Sequence, residues 1–145
     1  MNFNNFTIKS QEAVQEAVNL VQSRGQQAIE PEHLMAGLLK VGENVTNFIF
    51  QKLGINGQQI ETVLDRQIAS LPKVSGGEAY LSRSANEVLQ KAVEVSKELG
   101  DEYVSLEALL LALLNVKSTV ATILKDAGLT DKELRAAIQE LRQGQ

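Results

Sequence analysis

The stretch FTIKSQEAVQEAVNLVQSRGQQAIEPEHLMAGLLKV, residues 6–41, returns in altered form as LSRSANEVLQKAVEVSKELGDEYVSLEALLLALLNV, residues 81–116. At an offset of 75 residues the two stretches share ten identities in 36 positions, whereas composition alone gives roughly two. After a one-residue gap, Ile49 and Gly54 match Ile123 and Gly128. The chain is therefore predicted to be one structural unit written twice.

Each copy is predicted to contain four helices, because apolar residues recur at i, i+3, i+4 and i+7 behind capping residues. In the first copy Thr7 caps the first helix and Gly25 ends it, Glu30-Pro31-Glu32 opens the second, and Asn56 precedes the fourth. The predicted buried stripes of the four helices are Val14, Ala17, Val18 and Val21; Leu34, Met35, Leu38 and Leu39; Val45, Phe48, Ile49 and Leu53; and Ile60, Val63, Leu64 and Ile68.

The second copy repeats these signals. Ser82, Ser105 and Ser118 are predicted N-caps, and Thr130-x-x-Glu133 is a predicted capping box for the last helix. Pro72 and the following glycines break regular structure between the copies. The expected fold is all-α, with about eight helices in two tandem pseudo-symmetric four-helix repeats packed as one compact domain. Repeat one spans 6–71, the linker 72–80 and repeat two 81–143.

Composition excludes several classes of protein. The chain has no cysteine, a net charge of −4 and a pI of about 5.1, so disulfides are ruled out and binding to a nucleic-acid backbone is disfavoured. The N-terminus lacks the pattern of a secretory signal, and the run from Leu109 to Leu114 is too short to span a bilayer. A cytoplasmic location is expected, with neither nucleic acid nor membrane as partner.

The sequence contains no recognisable catalytic constellation. No G-x-x-x-x-G-K-[ST] motif occurs, so no cofactor is expected in this chain. His33 is the single histidine, and one imidazole cannot build a metal cage, so a structural or solvated histidine is predicted. The carboxylates at helix starts are explained by the helix dipole. The chain is expected not to be an enzyme.

The ordered set of motifs resembles the Clp N-terminal domain repeats of the AAA+ unfoldases, and within them the ClpB type. The residues that carry the resemblance are Phe6-Thr7-x-Lys9, Ile29-Glu30-Pro31-Glu32-His33-Leu34, Leu53-Gly54, Leu71-Pro72-Lys73-Val74-Ser75-Gly76, Gly100-Asp101-Glu102-Tyr103-Val104-Ser105-Leu106-Glu107 and the run from Leu109 to Leu114. The linker wording favours the ClpB type over ClpA or ClpC. Ala108 departs from the pattern, since many relatives have a histidine there that matches His33.

The resemblance implies a domain tethered above a hexameric, ATP-driven ring formed by the remaining AAA+ modules. Such a domain binds unfolded or aggregated polypeptide and helps deliver it to the ring for disaggregation. ATP binding, and cooperation with an Hsp70 system, would belong to segments outside this chain. The isolated chain is expected to be monomeric.

The resemblance also associates Thr7, Asp101 and Glu107 with substrate handling. Each has an alternative explanation, because Thr7 is a predicted N-cap, Asp101 follows the Gly100 terminator and Glu107 lies in the first turn after a cap. A second hypothesis comes from apolar residues beyond the core stripe of the fifth helix. Val95, Leu99, Tyr103 and Ala108 are candidates for a shallow client groove, and the alternative is that they widen the core.

Three other functions remain open at this stage. One is the N-domain of a ClpC or ClpA unfoldase, which recruits adaptors and substrates for a peptidase. The second is a small acid-base or metal hydrolase, which the lone histidine and the missing cysteines disfavour. The third is a freestanding repeat scaffold for one folded partner.

Overall fold

The computed structural model describes residues 2–144. These residues form eight helices and two very short strands. In chain order the elements are α1 (Ile8–Ser23), β1 (Ala28–Ile29), α2 (Pro31–Val41), α3 (Glu43–Leu53), α4 (Gly57–Ala69), β2 (Tyr80–Leu81), α5 (Arg83–Glu98), α6 (Leu106–Asn115), α7 (Thr119–Asp126) and α8 (Asp131–Gln143). The predicted all-α class is confirmed, with four helices on either side of the linker.

The predicted helix starts are present as hydrogen-bonded N-caps. The Ser10 amide donates to Thr7 Oγ1 at 3.1 Å, and the Ala85 amide donates to Ser82 Oγ at 3.0 Å. Ser105, Ser118, Asn56 and Thr130 cap their helices in the same way. Each bond satisfies an amide that the helix itself leaves without a partner. The sequence therefore sets the helix starts locally.

Two short parallel pairings tie the repeats together. β1 pairs with β2 in the register Ala28–Tyr80 and Ile29–Leu81, and Phe6 forms an isolated parallel bridge with Val104. Moving each residue by the repeat offset of 75 turns the Phe6–Val104 pair into Leu81–Ile29. The segment before the first helix of each repeat thus pairs with the segment before the second helix of the other. This exchange is a direct expression of the pseudo-symmetry.

Helix packing also crosses between repeats. α1 packs on α2 and α5 on α6 within their own repeats, whereas α3 packs on α8 and α4 on α7 across the boundary. α6 lies at the centre, with eight of its ten residues buried, from Leu106 to Leu114. The two repeats therefore share one hydrophobic core, and the burial of its apolar side chains stabilises the fold.

Two predicted core positions lie outside the core: Val63 of α4, which is half-buried, and Phe48 of α3. Phe48 was expected on the buried stripe of α3, but 38% of its surface is exposed, whereas Phe50 is only 5% exposed. The buried face of α3 is formed by Thr46, Ile49 and Phe50. α3 packs against α8 of the other repeat, and the Phe50 ring lies against Gly57 at the start of α4. Periodicity within one helix does not reveal these contacts.

Within residues 2–144, no single helix has the length and apolar character needed to cross a membrane. α6 and α7 have the required length and apolar character only when they are counted together, and the two helices meet at a bend of 97°.

Candidate functional site

Thr7, Asp101 and Glu107 come together where the start of α1 meets the α5–α6 loop. The Phe6–Val104 bridge brings the two segments side by side, and the Thr7 amide donates to the Val104 carbonyl at 3.0 Å. Asp101 begins the loop and Glu107 lies in the first turn of α6. Thr7 of repeat one thus lies beside the loop of repeat two that carries Asp101 and leads to Glu107.

Asp101 and Glu107 are joined by a cation that the sequence analysis did not single out. Arg142 Nη1 and Nη2 donate to Asp101 Oδ1 and Oδ2 at 2.9 and 2.7 Å, and Arg142 Nε donates to Glu107 Oε2 at 3.2 Å. Ser105 Oγ lies 3.4 Å from Nη2. The carboxylates and their hydrogen bonds raise the pKa of Arg142 above its ordinary value. The arrangement is a charge-assisted, partly buried cluster.

Thr7 has the predicted capping role, and Glu107 lies in the first turn of a capped helix, whether or not these residues also handle substrate. The Thr7 hydroxyl accepts from the Ser10 amide and donates to Ser10 Oγ at 2.9 Å. Ser105 caps α6 through the Ala108 amide at 3.1 Å, which places Glu107 near the positive end of the helix. Contact of these residues with a client remains a prediction.

Two exposed apolar side chains flank the Phe6–Val104 bridge. Ile8 is 76% exposed and Tyr103 is 50% exposed. Tyr103 was a candidate, whereas Ile8 was missed, although its place at the start of α1 and off the apolar stripe could have revealed it. We define the junction surface by its five residues: Thr7, Ile8, Asp101, Tyr103 and Glu107.

Two of the three remaining groove candidates lie inside the protein. Val95 and Ala108 have no exposed surface, and Leu99 is half-buried against the core. Val95 belongs to α5 and Ala108 to α6, and these two helices pack together. They could meet a client only if these helices separated, so a surface groove through them is absent from the described fold, and the core-widening alternative accounts for both.

His33 forms a neutral structural bridge. Its Nδ1 accepts from the Glu30 amide at 2.9 Å, so the proton lies on Nε2, which donates to Gln26 Oε1 at 2.7 Å. Gln26 Nε2 in turn donates to the Ile68 carbonyl at 2.7 Å. Burial, helped by the positive charge of Arg24, lowers the pKa of His33 to about 4. The ring therefore links the start of α2 to the end of α4.

Other chemistry finds little support in the described part of the chain. Among residues 2–144, no three His, Cys, Asp or Glu side chains are placed to hold a metal ion. A concave surface of about 980 Å³ lies between α2, α3 and α4, with Phe50 and Leu64 on its floor and Glu43, Glu61 and Asp65 around it. It contains none of the predicted site residues. Burial raises the pKa of the Glu32 carboxyl, with a smaller contribution from Glu30.

Comparison with protein families identifies the fold. The model of the Clp repeat N-terminal domain matches residues 5–141. The chain belongs to this Clp repeat family. A chaperone protein ClpB of Bacteroides thetaiotaomicron is 79% identical over 145 residues, and the match covers 100% of this chain and 17% of that protein. The predicted ClpB-type Clp N-domain is thereby confirmed, and the chain spans about 17% of the length of that relative.

Solved structures share the Clp N-domain fold. The Hsp104 N-terminal domain from Candida albicans superposes with a TM-score of 0.84 at 23% identity, over 98% of this chain and 94% of that one. A ClpV N-domain, solved in complex with a VipB peptide, superposes with a TM-score of 0.74 at 19% identity, over 91% of this chain and 83% of that one. At these identities the likeness establishes the fold.

Proposed function

We propose that this Clp N-domain binds unfolded or aggregated polypeptide through the junction surface and helps deliver it to an ATP-driven ring for disaggregation. The carrying observation is the pair of exposed apolar side chains, Ile8 and Tyr103, beside a polar and acidic rim. Unfolded clients expose apolar side chains, and a solvated apolar patch with a polar rim is the kind of surface that binds them.

The relatives support the assignment to the ClpB type rather than to ClpC or ClpA. The 79% identical relative is a chaperone protein ClpB. The complex of a ClpV N-domain with a VipB peptide supports peptide capture as a task that this fold can perform. In the proposal this chain supplies binding and no chemistry, because its sequence contains no phosphate-binding motif.

The rest of the machinery belongs to the same proposal. ATP and the hexameric ring would come from other AAA+ modules of a longer chain, cooperation with an Hsp70 system would use segments outside residues 1–145, and the protein would act in the cytoplasm. The isolated domain would need no cofactor.

A binding assay with matched tyrosine variants tests the proposal. Tyr103→Ser removes an aromatic contact from the junction surface, whereas Tyr80→Ser removes an equally exposed tyrosine, 55% exposed, from the β1–β2 pairing. We expect Tyr103→Ser, and Ile8→Ser separately, to weaken binding of fluorescein-labelled carboxymethylated α-lactalbumin about fivefold, since each removes about 1 kcal/mol of apolar contact. Tyr80→Ser should bind like the parent chain.

Two results would contradict this proposal. Equal affinities of all four proteins for the unfolded probe would remove the junction surface from client binding. Tighter binding of native than of carboxymethylated α-lactalbumin would favour a scaffold for folded partners instead.

A further inference from the structure

The two repeats fasten the end of their fourth helix by different chemistry at equivalent positions. In repeat one, Gln26 donates to the main-chain carbonyl of Ile68 near the end of α4. The repeat offsets place Asp101 at the position of Gln26 and Arg142 at the position of Ile68. The second fastener is therefore the Asp101–Arg142 ion pair, made by side chains where repeat one uses an amide and the main chain.

The ionic fastener is the main polar attachment at the end of α8, where Leu141 is half-buried. Apolar burial on α8 stops at Ile138, and from there to Gly144 the side chains are half-buried or exposed. Glu140 forms an exposed ion pair with Lys52 at 2.9 Å, which contributes little in water. Arg142 instead makes three bonds of 2.7–3.2 Å to two carboxylates and retains 25% exposure.

The same ion pairs cover the carboxylates of the junction surface. The side chains of Asp101 and Glu107 are 22% and 13% exposed with Arg142 in place. Both oxygens of Asp101 and Oε2 of Glu107 accept from its guanidinium, which is planar and permanently charged. An incoming cation must compete with an attached partner that has a high local concentration.

We propose that Arg142 is a latch over the junction surface: it holds the last turn of α8 on the α5–α6 loop, and Asp101 and Glu107 become available to a cationic side chain of a client only when that turn releases. This rests on the proposed function of the junction surface. Arg142 acts through the two carboxylates, so it is a positioning residue and not itself a contact for the client. The device links client binding to the position of the end of the domain's final helix.

Hydrogen exchange tests the latch without any client. We expect Arg142→Gln to speed amide exchange in the last turn of α8 about tenfold, while α5 and α6 keep their protection. Arg135→Gln is the matched control, because Arg135 lies on the same helix and pairs with Asp131 and Glu98 instead. Unchanged exchange at the end of α8 in Arg142→Gln would overturn the latch.

A charge-resolved binding assay tests the second half of the inference. Two short unstructured peptides with the same apolar residues are compared, one carrying lysines and the other glutamines. We expect Arg142→Gln to bind the lysine peptide about fivefold more tightly than the parent chain and the glutamine peptide equally well. The gain should shrink as salt is added. It should be absent in Arg135→Gln, and smaller in the Asp101→Asn, Arg142→Gln double variant, which frees only Glu107.

The outcomes separate the latch from the proposed function. Binding of the glutamine peptide without a gain for the lysine peptide in Arg142→Gln would overturn the gating role. If neither peptide binds any variant, the proposed function fails and the gating role of Arg142 fails with it. The attachment of α8 by Arg142 is then judged by hydrogen exchange alone. Should Arg142→Gln lose its helical circular dichroism, Arg142→Lys replaces it, with smaller changes expected in the same direction because one ammonium cannot span both carboxylates.

Discussion

Acidification to pH 5 should destabilise this Clp N-domain through His33. The buried ring has a pKa of about 4 in the fold, against an ordinary value of 6.5. A folded-state pKa that is lowered for a base means that the fold prefers the neutral ring, so the unfolded chain takes up the proton first. The contribution of His33 to stability is therefore complete above pH 6.5 and is lost progressively as the pH falls from 6.5 towards 4.

The size of the effect follows from the two pKa values. At pH 5 the unfolded ring is almost fully protonated while the folded ring is mostly neutral, which costs about 2 kcal/mol relative to pH 7.5. That is a large share of the 5–15 kcal/mol or so that stabilises an ordinary domain. The physical reason is that an imidazolium cannot accept from the Glu30 amide, and its charge is poorly solvated in the core.

Urea unfolding followed by circular dichroism at pH 7.5 and pH 5 measures this loss, with His33→Ala as the control. Alanine is compatible with the opening turn of such a helix, because Ala108 occupies the equivalent position in repeat two. The variant should be about 2–3 kcal/mol less stable at pH 7.5, since it loses the bonds that the ring makes with the Glu30 amide and Gln26. Its stability should fall less with acid. Carboxylates titrate in both proteins and cancel in the comparison. Equal losses in the two proteins, or an NMR titration of His33 centred near pH 6.5, would refute the reasoning.

Four further changes in stability are expected, each measured by urea unfolding. A Cβ at Gly37 would collide with the Ala13 carbonyl where α1 crosses α2, so Gly37→Ala should lower the free energy of unfolding by about 2–4 kcal/mol. Ala112→Gly, at the equivalent position of repeat two, should lower it by only about 1–2 kcal/mol. Because burial raises the pKa of Glu32, the fold prefers its protonated form and loses stability as pH rises through its titration, so Glu32→Gln should stabilise the domain at pH 7. Gly54 ends α3 at φ 68° with open space around it, so Gly54→Ala should cost about 1 kcal/mol through backbone strain alone.

The helices could be predicted because their signals are local. Thr7, Ser82, Ser105, Ser118 and Thr130 lie a few residues from the amides they cap, and the apolar stripes need only helical spacing. The strands could not be predicted, since two-residue strands are too short to show alternation. Their pairing partners also belong to the other repeat.

The candidate site was predictable only in part, because its contacts depend on how distant segments pack. The resemblance indicated Thr7, Asp101 and Glu107, and the fold brings them to one region. Arg142 was missed because it meets Asp101 across 41 residues of sequence, and no local pattern marks such a pair. Val95 lies on a helix face that looks free in sequence, but it has no exposed surface in the fold.

Divergence between the repeats explains why a site is expected at the Phe6–Val104 junction and not at the pseudo-equivalent Ile29–Leu81 junction. Gln26 and His33 of repeat one form a neutral network with no exposed group. In repeat two the same positions hold Asp101 and Ala108. With Ala108 in place of a histidine, repeat two has no ring to hydrogen-bond residue 101. Asp101 is bound instead by Arg142, which is partly exposed. A neutral buried fastener offers nothing to a ligand, whereas a partly exposed ion pair can exchange partners.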